Sequence, residues 1–344
     1  MYGIAMNKAL NGWKFIFAIL IVCHHSLYVL NDVHFCRCYL AVEFFFIVSG
    51  FFIAKSWNEK RKESPFLWWK RKSLRIYPVF IYSIMLLVLI GLLAAKNSKV
   101  FIVSNKDLIY ELLFLNNAGI TKYAINIPDW YVSCMLISGF FYMAFMTMNE
   151  NLLKFLIIPT AIIFGISFLV NNFQTLNVHS KIIFSIIDIG VIRAFVDMGV
   201  GIELYYYVSS MHKGNNKIYN SLLEVLLCLA IYLFLINSNS SRYDILIIPI
   251  FSLLIVACFL NRGIIAALLE SNVVQFLGKF SLPLYLTHFV VIRYIQYTGT
   301  PVTIFEFVFA SIVFAMVSYY IIRFVTSEKD TSIFRRPLKL GVTK

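Results

Sequence analysis

The sequence predicts an all-α membrane protein: a single transmembrane domain over residues 1–344, with about ten spanning helices and both termini in the cytoplasm. Three observations predict it. The chain is 60% hydrophobic and only 14% charged, whereas a soluble domain carries roughly 25% charged residues. Its apolar residues gather into stretches of about 17–25, the length that crosses the hydrocarbon core as a helix. Its Lys and Arg crowd the loops of one side.

Ten apolar stretches run over about 13–30, 39–55, 77–95, 130–148, 153–170, 182–208, 222–238, 244–260, 281–298 and 303–324. The sixth is the least apolar, because it holds Asp188, Arg193, Asp197 and Glu203. No small-residue cleavage site follows the first, so it reads as a span and not as a signal peptide. Loop 55–76 carries Lys55, Lys60, Arg61, Lys62, Lys70, Arg71, Lys72 and Arg75, and the tail carries Arg323, Lys329, Arg335, Arg336, Lys339 and Lys344. An even number of spans puts both on the side of the N-terminus. The opposite side keeps Arg37, Lys96, Lys99, Lys106, Lys122, Lys181 and Arg242. The positive-inside rule makes the richer side cytoplasmic. The longest external segment, 96–129, contains an amphipathic piece, Asp107–Leu115, suited to a short interfacial or lid helix.

The net charge of +13 suits basic loops beside anionic lipid, and a basic mouth for an anionic ligand, with no nucleic acid as partner. The 33 Phe suit lipid-facing and helix-packing surfaces, and Tyr and Trp suit the headgroup level. The six cysteines form no CxxC pair and no metal pattern,. Cys23, Cys134, Cys228 and Cys258 read as core fillers, and no disulfide is expected between Cys36 and Cys38.

Charged residues kept inside lipid mark function. Lys14 and His25 are eleven residues apart on the first span, a net rotation of about 20° and a rise of about 16 Å, so they share one face at different depths. Lys14 is either a snorkelling anchor or a ligand-binding cation. His25 lies deep and reads as functional, whereas His24 points about 100° away, toward packing. Glu43 enters the second span at the depth of His25. It forms either a base-orienting pair with that imidazole or a plain buried ion pair. Lys72 and Arg75 share a helix face and suit a phosphate. Arg193 and Asp197, four apart, are expected to pair with each other. His288 shares a face with Tyr285 and Ser281, as a cavity lining or a helix–helix hydrogen bond.

Asn11-Gly12-Trp13-Lys14 followed after ten residues by His25, Val42-Glu43-Phe44-Phe45-Phe46-Ile47-Val48-Ser49-Gly50-Phe51, Lys72-Ser73-Leu74-Arg75-Ile76-Tyr77-Pro78, Trp130-Tyr131-Val132-Ser133 and Ser281-Leu282-Pro283-Leu284-Tyr285-Leu286-Thr287-His288 occur in the order of the motifs of one family. In them the chain resembles the acyltransferase-3 family of bacterial integral-membrane acyltransferases, over essentially its whole length. Two departures stand out. Lys14 and Lys72 stand where Arg is commoner and lose the bidentate fork. Cys134-Met135 stands where many relatives carry a Glu.

The resemblance implies transfer of an acetyl or other short acyl group from acyl-CoA, usually acetyl-CoA, to a hydroxyl of a cell-surface polysaccharide or lipid-linked glycan at the inner membrane, with no metal. Lys14, Lys72 and Arg75 would hold the CoA phosphates, and His25, oriented by Glu43, would act as base. Ser133, Tyr285 or His288 would steady the oxyanion, with Trp130 and Asp129 beside the acceptor. A flippase or exporter of lipid-linked glycan is the alternative; it explains the spans and buried charges but not the joint Lys14–His25 and Lys72–Arg75 spacing.

Overall fold

The computed structural model describes residues 8–30, 35–59, 62–95, 105–119, 124–178, 181–183, 187–211, 216–236, 241–259 and 263–326. Helix α1 (Lys8–His25) ends in a 3-10 turn, Ser26–Tyr28. A second 3-10 turn, Cys36–Leu40, leads into α2 (Ala41–Glu59). Helix α3 (Pro65–Ala95) has 31 residues, about 46 Å of helix. It begins on Pro65, whose missing N–H costs nothing at a helix start, and runs through Pro78. The expected span 77–95 is therefore the second half of a longer helix. Lys72 and Arg75 stand on that helix itself and not in a loop before it.

The amphipathic piece forms α4 (Asn105–Leu112), shorter than Asp107–Leu115 because Phe114 turns the chain at φ 57°. A 3-10 turn, Ile127–Asp129, enters α5 (Trp130–Met148). Then come α6 (Glu150–Leu152), a π turn over Leu153–Ile157 and α7 (Ile158–Phe173). The wide turn precedes Pro159, which has no N–H for a regular ladder. Strands β1 (Ile182–Ile183) and β2 (Ile187–Asp188) form a small antiparallel ribbon. It delivers Asp188 as the N-cap of α8 (Ile189–Ser210), its carboxylate accepting the N–H of Gly190. Helix α9 (Lys217–Ile236) is followed by the 3-10 turn Arg242–Leu246 and α10 (Ile247–Phe259). Two short helices, α11 (Ile264–Leu269) and α12 (Asn272–Leu277), and the turn Gly278–Phe280 lead to α13 (Ser281–Thr298). Helix α14 (Ile304–Val325) opens with a Thr303/Glu306 capping box,.

Each expected span overlaps a helix, the sixth only from Ile189, because its first residues form the β1–β2 ribbon. Among the described residues, eight of these helices, with their flanking turns, are long and apolar enough to cross a membrane. Helices α8 and α13 are long enough, at 22 and 18 residues, but are the two more polar ones. Both bury much of their surface in protein, and a helix shielded from lipid keeps polar residues at lower cost. The centre of the bundle is α2, 78% of whose span is buried, with α1 at 61%; α14 and the α6–α7 run, at 17% each, form the rim.

Side-chain pairings give the helix directions. Helices α1 and α2 are antiparallel, with Lys14 over the Phe52 ring and His24 against Tyr39. Helices α2 and α8 run the same way, Glu43 meeting Arg193 near one end and Asn58 meeting Tyr206 near the other. Their backbones approach closely. A Cβ on Gly50 would lie 1.9 Å from the Met198 carbonyl oxygen, and one on Gly201 1.9 Å from that of Ile47. The backbones touch because neither glycine has a side chain.

At the end of α1 away from Lys14, the Asp244 carboxylate joins three distant pieces of chain. It pairs with Arg37 at 2.6 Å and accepts from the Tyr39 hydroxyl, Thr175 Oγ1 at 2.8 Å and the Leu176 N–H at 3.1 Å. Cys36 and Cys38, in the turn beside it, are not joined in a disulfide. Residues 96–104 and 120–123, Lys60, Arg61 and the tail cations from Lys329 lie outside the described residues.

The α2–α8 contact leaves no room for growth. Gly201→Ala is expected to cost about 1–3 kcal/mol through overpacking, visible as a lower melting temperature and loss of the monodisperse peak in detergent. An unchanged melting temperature would contradict the close approach.

Candidate functional site

Three cations converge near the N-terminal end of α1: Lys14 on α1 with Lys72 and Arg75 on α3, close enough to repel one another. Lys14 Nζ lies 4.8 Å from the centre of the Phe52 ring. Nearby, Arg71 is neutralised by Glu63 and Lys55 meets Glu59. No carboxylate pairs with Lys14, Lys72 or Arg75 among the described residues. Like charges held together without a counter-charge form a site for an anion.

Further along the same face of α1, His25 meets His288 of α13, Nδ1 to Nε2 at 2.9 Å, with the rings roughly parallel. His288 Nδ1 lies 3.0 Å from the carbonyl oxygen of Leu284. A carbonyl only accepts, so His288 carries its proton on Nδ1 and presents the Nε2 lone pair to His25. His25 must then donate through Nδ1–H, which leaves the lone pair of a neutral ring on its Nε2. A carbonyl four residues back on α13 thus sets the tautomer of a side chain on α1.

Of the two readings open for Glu43, the structure shows the buried ion pair and not the pair with His25. Its carboxylate pairs with Arg193, both side chains being buried, and Asp197 lies against the same carboxylate. The Arg193–Asp197 pairing expected from their spacing gives way to this contact, because α2 brings a second carboxylate to the same level of α8. A dry guanidinium needs its strongest acceptor. Arg193 also donates to the Val178 carbonyl at 2.8 Å, and its plane lies 5.1 Å from the centre of the Trp130 ring. The imidazole of His25 has His288, and not Glu43, against its Nδ1.

The other expected contacts are tied to the backbone. Ser133 Oγ donates to the Phe114 carbonyl at 2.6 Å and accepts from the Asn117 N–H. The Tyr285 hydroxyl donates to the Pro128 carbonyl at 2.8 Å. These bonds tie residues 114–117 and 126–128 to the first turns of α5 and α13 and commit both hydroxyl protons to backbone carbonyls. Asn126 adds to these ties, its Nδ2 reaching Asp129 Oδ1 at 2.8 Å and the Leu286 carbonyl at 3.0 Å.

Glu111 of α4 was not singled out by sequence, although its place in the amphipathic piece marked that segment. It accepts the N–H groups of Ile125 and Asn126 at 2.9 and 3.0 Å. Burial nevertheless pushes its carboxyl from 4.5 up to about 7, since desolvation penalises the charged form more than two backbone donors favour it. Among the described residues, no group of three or more His, Cys, Asp or Glu is placed to hold a metal ion.

A family model described as an acyltransferase domain, Acyl_transf_3, matches residues 7–323. No curated protein matches the chain, and no solved structure does.

Two outcomes follow from the buried charges. Glu43→Gln strands the Arg193 charge and is expected to cost about 3–5 kcal/mol, much of it recovered in Glu43→Gln/Arg193→Met. Equal melting temperatures for the single and double variants would contradict the pairing. Glu111 binds its proton more tightly folded than unfolded, so the stability it contributes is complete below pH 4.5 and is lost as pH rises to about 7,. Across that window the wild-type melting temperature should fall more steeply than that of Glu111→Gln; parallel profiles would contradict the assignment.

Proposed function

The chain belongs to the acyltransferase-3 family, and from that premise we propose that it moves an acetyl or other short acyl group from acyl-CoA, acetyl-CoA being the usual donor, to a hydroxyl of a cell-surface polysaccharide or lipid-linked glycan. It works in the bacterial inner membrane, with ten spans and both termini in the cytoplasm. The observation that carries this reading is the pairing, along one face of α1, of the uncompensated cations Lys14, Lys72 and Arg75 with the His25–His288 couple about 16 Å further on. CoA is a cytoplasmic molecule with several phosphates at one end and a thin thiol arm at the other. Its phosphates suit the cations, and its arm suits the distance to His25.

In the proposed reaction, His25 Nε2 takes the proton of the acceptor hydroxyl as the oxygen attacks the thioester carbon. The new C–O bond forms, the C–S bond breaks, and the CoA thiolate leaves with the proton that His25 had taken. His288 holds the His25 ring in the required tautomer and shares the positive charge while it exists. Glu43 and Arg193 act as positioning residues, fixing α2 and α8 beside Trp130.

Acetyl-CoA binding and slow hydrolysis by the protein in nanodiscs test the reading. His25→Ala should lower hydrolysis by about 10²–10⁴-fold and leave binding in place. Lys72→Ala/Arg75→Ala should weaken binding roughly tenfold or more, as loss of charge-assisted bonds predicts. Folded wild type that binds no acetyl-CoA would overturn the proposal and favour export of a lipid-linked glycan, which consumes no thioester.

A further inference from the structure

Helix α2 is buried on nearly every side, but one stripe of it is not. Among the described residues from 41 to 54, Phe45, Ser49 and Phe52 alone are half-buried, and the rest are buried. Steps of four and three residues put these three on one face of the helix. That face looks into the bundle and not toward lipid. The Phe45 ring meets Tyr131 of α5 and Tyr285 of α13, each with ring centres 6.1 Å apart, and the Phe52 ring lies against Lys14 of α1. A narrow slot therefore runs along α2, walled by α1, α5 and α13. One end lies at Phe52 and Lys14, and the other at Phe45 and Tyr285, whose ring centre is 6.3 Å from that of His288. Seven residues of α2 separate the two ends, about 10 Å of helix, so the slot covers much of the way from the cations to the imidazoles.

The middle of the slot is polar. Ser49 Oγ lies 3.1 Å from the Tyr131 hydroxyl, which itself donates to the Phe45 carbonyl at 3.2 Å. A phenol has a single proton, so Ser49 is the donor in the contact between the two hydroxyls. In mid-helix a serine ordinarily donates to the carbonyl four residues back, which for Ser49 is this same Phe45 oxygen. Tyr131 takes that place, draws the Ser49 proton to itself and leaves the serine oxygen its acceptor capacity. A hydroxyl pair that served only to pack α2 against α5 would be buried with its surroundings. Ser49 is half-buried instead, and so are the next residues of the stripe on either side of it.

We infer that Ser49, oriented by Tyr131, is the subsite for the pantetheine arm of CoA, and that its oxygen accepts an amide N–H of that arm. This rests on the acyl-transfer reading above. The arm is a thin chain of methylene, methyl and amide groups between the phosphates and the thioester. Its apolar parts suit the rings of Phe45 and Phe52. Its amides leave water on entering the slot, and an amide N–H that met no acceptor there would weaken binding. Ser49 stands three residues, about 4.5 Å of helix, from the level of Phe52 and Lys14, so it meets the amide nearer the phosphates. Tyr131 is a positioning residue, acting through the serine proton that it accepts.

The test is competition against acetyl-CoA binding by the full-length protein in nanodiscs, with three fragments of the donor as probes. Pantetheine is the whole arm. N-acetylcysteamine keeps only the amide and thiol at its tip, and adenosine 3′,5′-bisphosphate keeps phosphates without an arm. Wild type should bind pantetheine roughly tenfold or more tighter than N-acetylcysteamine. Ser49→Ala should cut that lead roughly fivefold or more, as loss of a buried hydrogen bond predicts, and leave the affinity for the bisphosphate unchanged. Ser49→Thr, which keeps a hydroxyl, should retain the lead, and Tyr131→Phe should reduce it. Lys72→Ala/Arg75→Ala should do the reverse of Ser49→Ala, weakening the bisphosphate and sparing the lead. No lead for pantetheine in wild type, a lead that survives both Ser49→Ala and Tyr131→Phe, or loss of bisphosphate affinity alongside the lead in both variants would each overturn the inference and leave the acyl-transfer reading standing. Folded wild type that binds no acetyl-CoA would remove both.

Discussion

An ion pair in a dry interior is stable only when complete, and the bundle is arranged around one such pair. Glu43 and Arg193 sit where α2 and α8 run in the same direction, and either alone would be an uncompensated charge among apolar helices,. The pair fixes the rotation of α2 against α8, and the Gly50 and Gly201 contacts then set their separation. Trp130 lies on the guanidinium and so brings α5 to the same axis. With three helices placed, α1 and α13 close against them and their imidazoles meet. The pair touches neither histidine through the contacts described, yet it positions the elements that carry them.

Chemistry is distributed along α1 as along a ruler. One end faces cations drawn from a second helix, and the other faces an imidazole drawn from a third. A flexible donor with charge at one end and a thioester at the other needs both fixed on one rigid body, since a shift of about 1 Å at the reacting atoms is costly. A single helix supplies that rigidity. The carbonyl of Leu284 adds to it by deciding, from α13, which tautomer His25 presents to His288.

Much of this was legible in the sequence. Apolar length alone located ten helices, because lipid demands a minimum run of apolar residues. It misplaced the start of α3, because hydropathy marks the part of a helix that lipid touches and Lys70–Arg75 lies outside that part. The shared face of Lys14 and His25 follows from helical geometry, so it was readable. Their partners were not. Spacing within one helix favours Arg193 with Asp197, but the contact that wins is made across helices, and no local rule contains it. Ser133 and Tyr285 mislead for another reason. Irregular backbone at residues 113–119 and 124–129 leaves carbonyls at Phe114 and Pro128 that must be satisfied, and the hydroxyls of Ser133 and Tyr285 are used for that.

The Asp244 cluster has a consequence for biosynthesis. Arg37 and its carboxylate are separated by 207 residues, so the ribosome delivers the guanidinium long before its counter-ion exists. Through the insertion of every helix between them, Arg37 must be solvated by water or lipid phosphate, which holds the first hairpin at the membrane surface. Tyr39, Thr175 and the Leu176 amide wait on the same carboxylate. The end of the bundle around Asp244 is thus among the last parts of the molecule to close, and a nascent chain stopped short of residue 244 presents a cationic, unlatched edge to whatever chaperones attend the translocon.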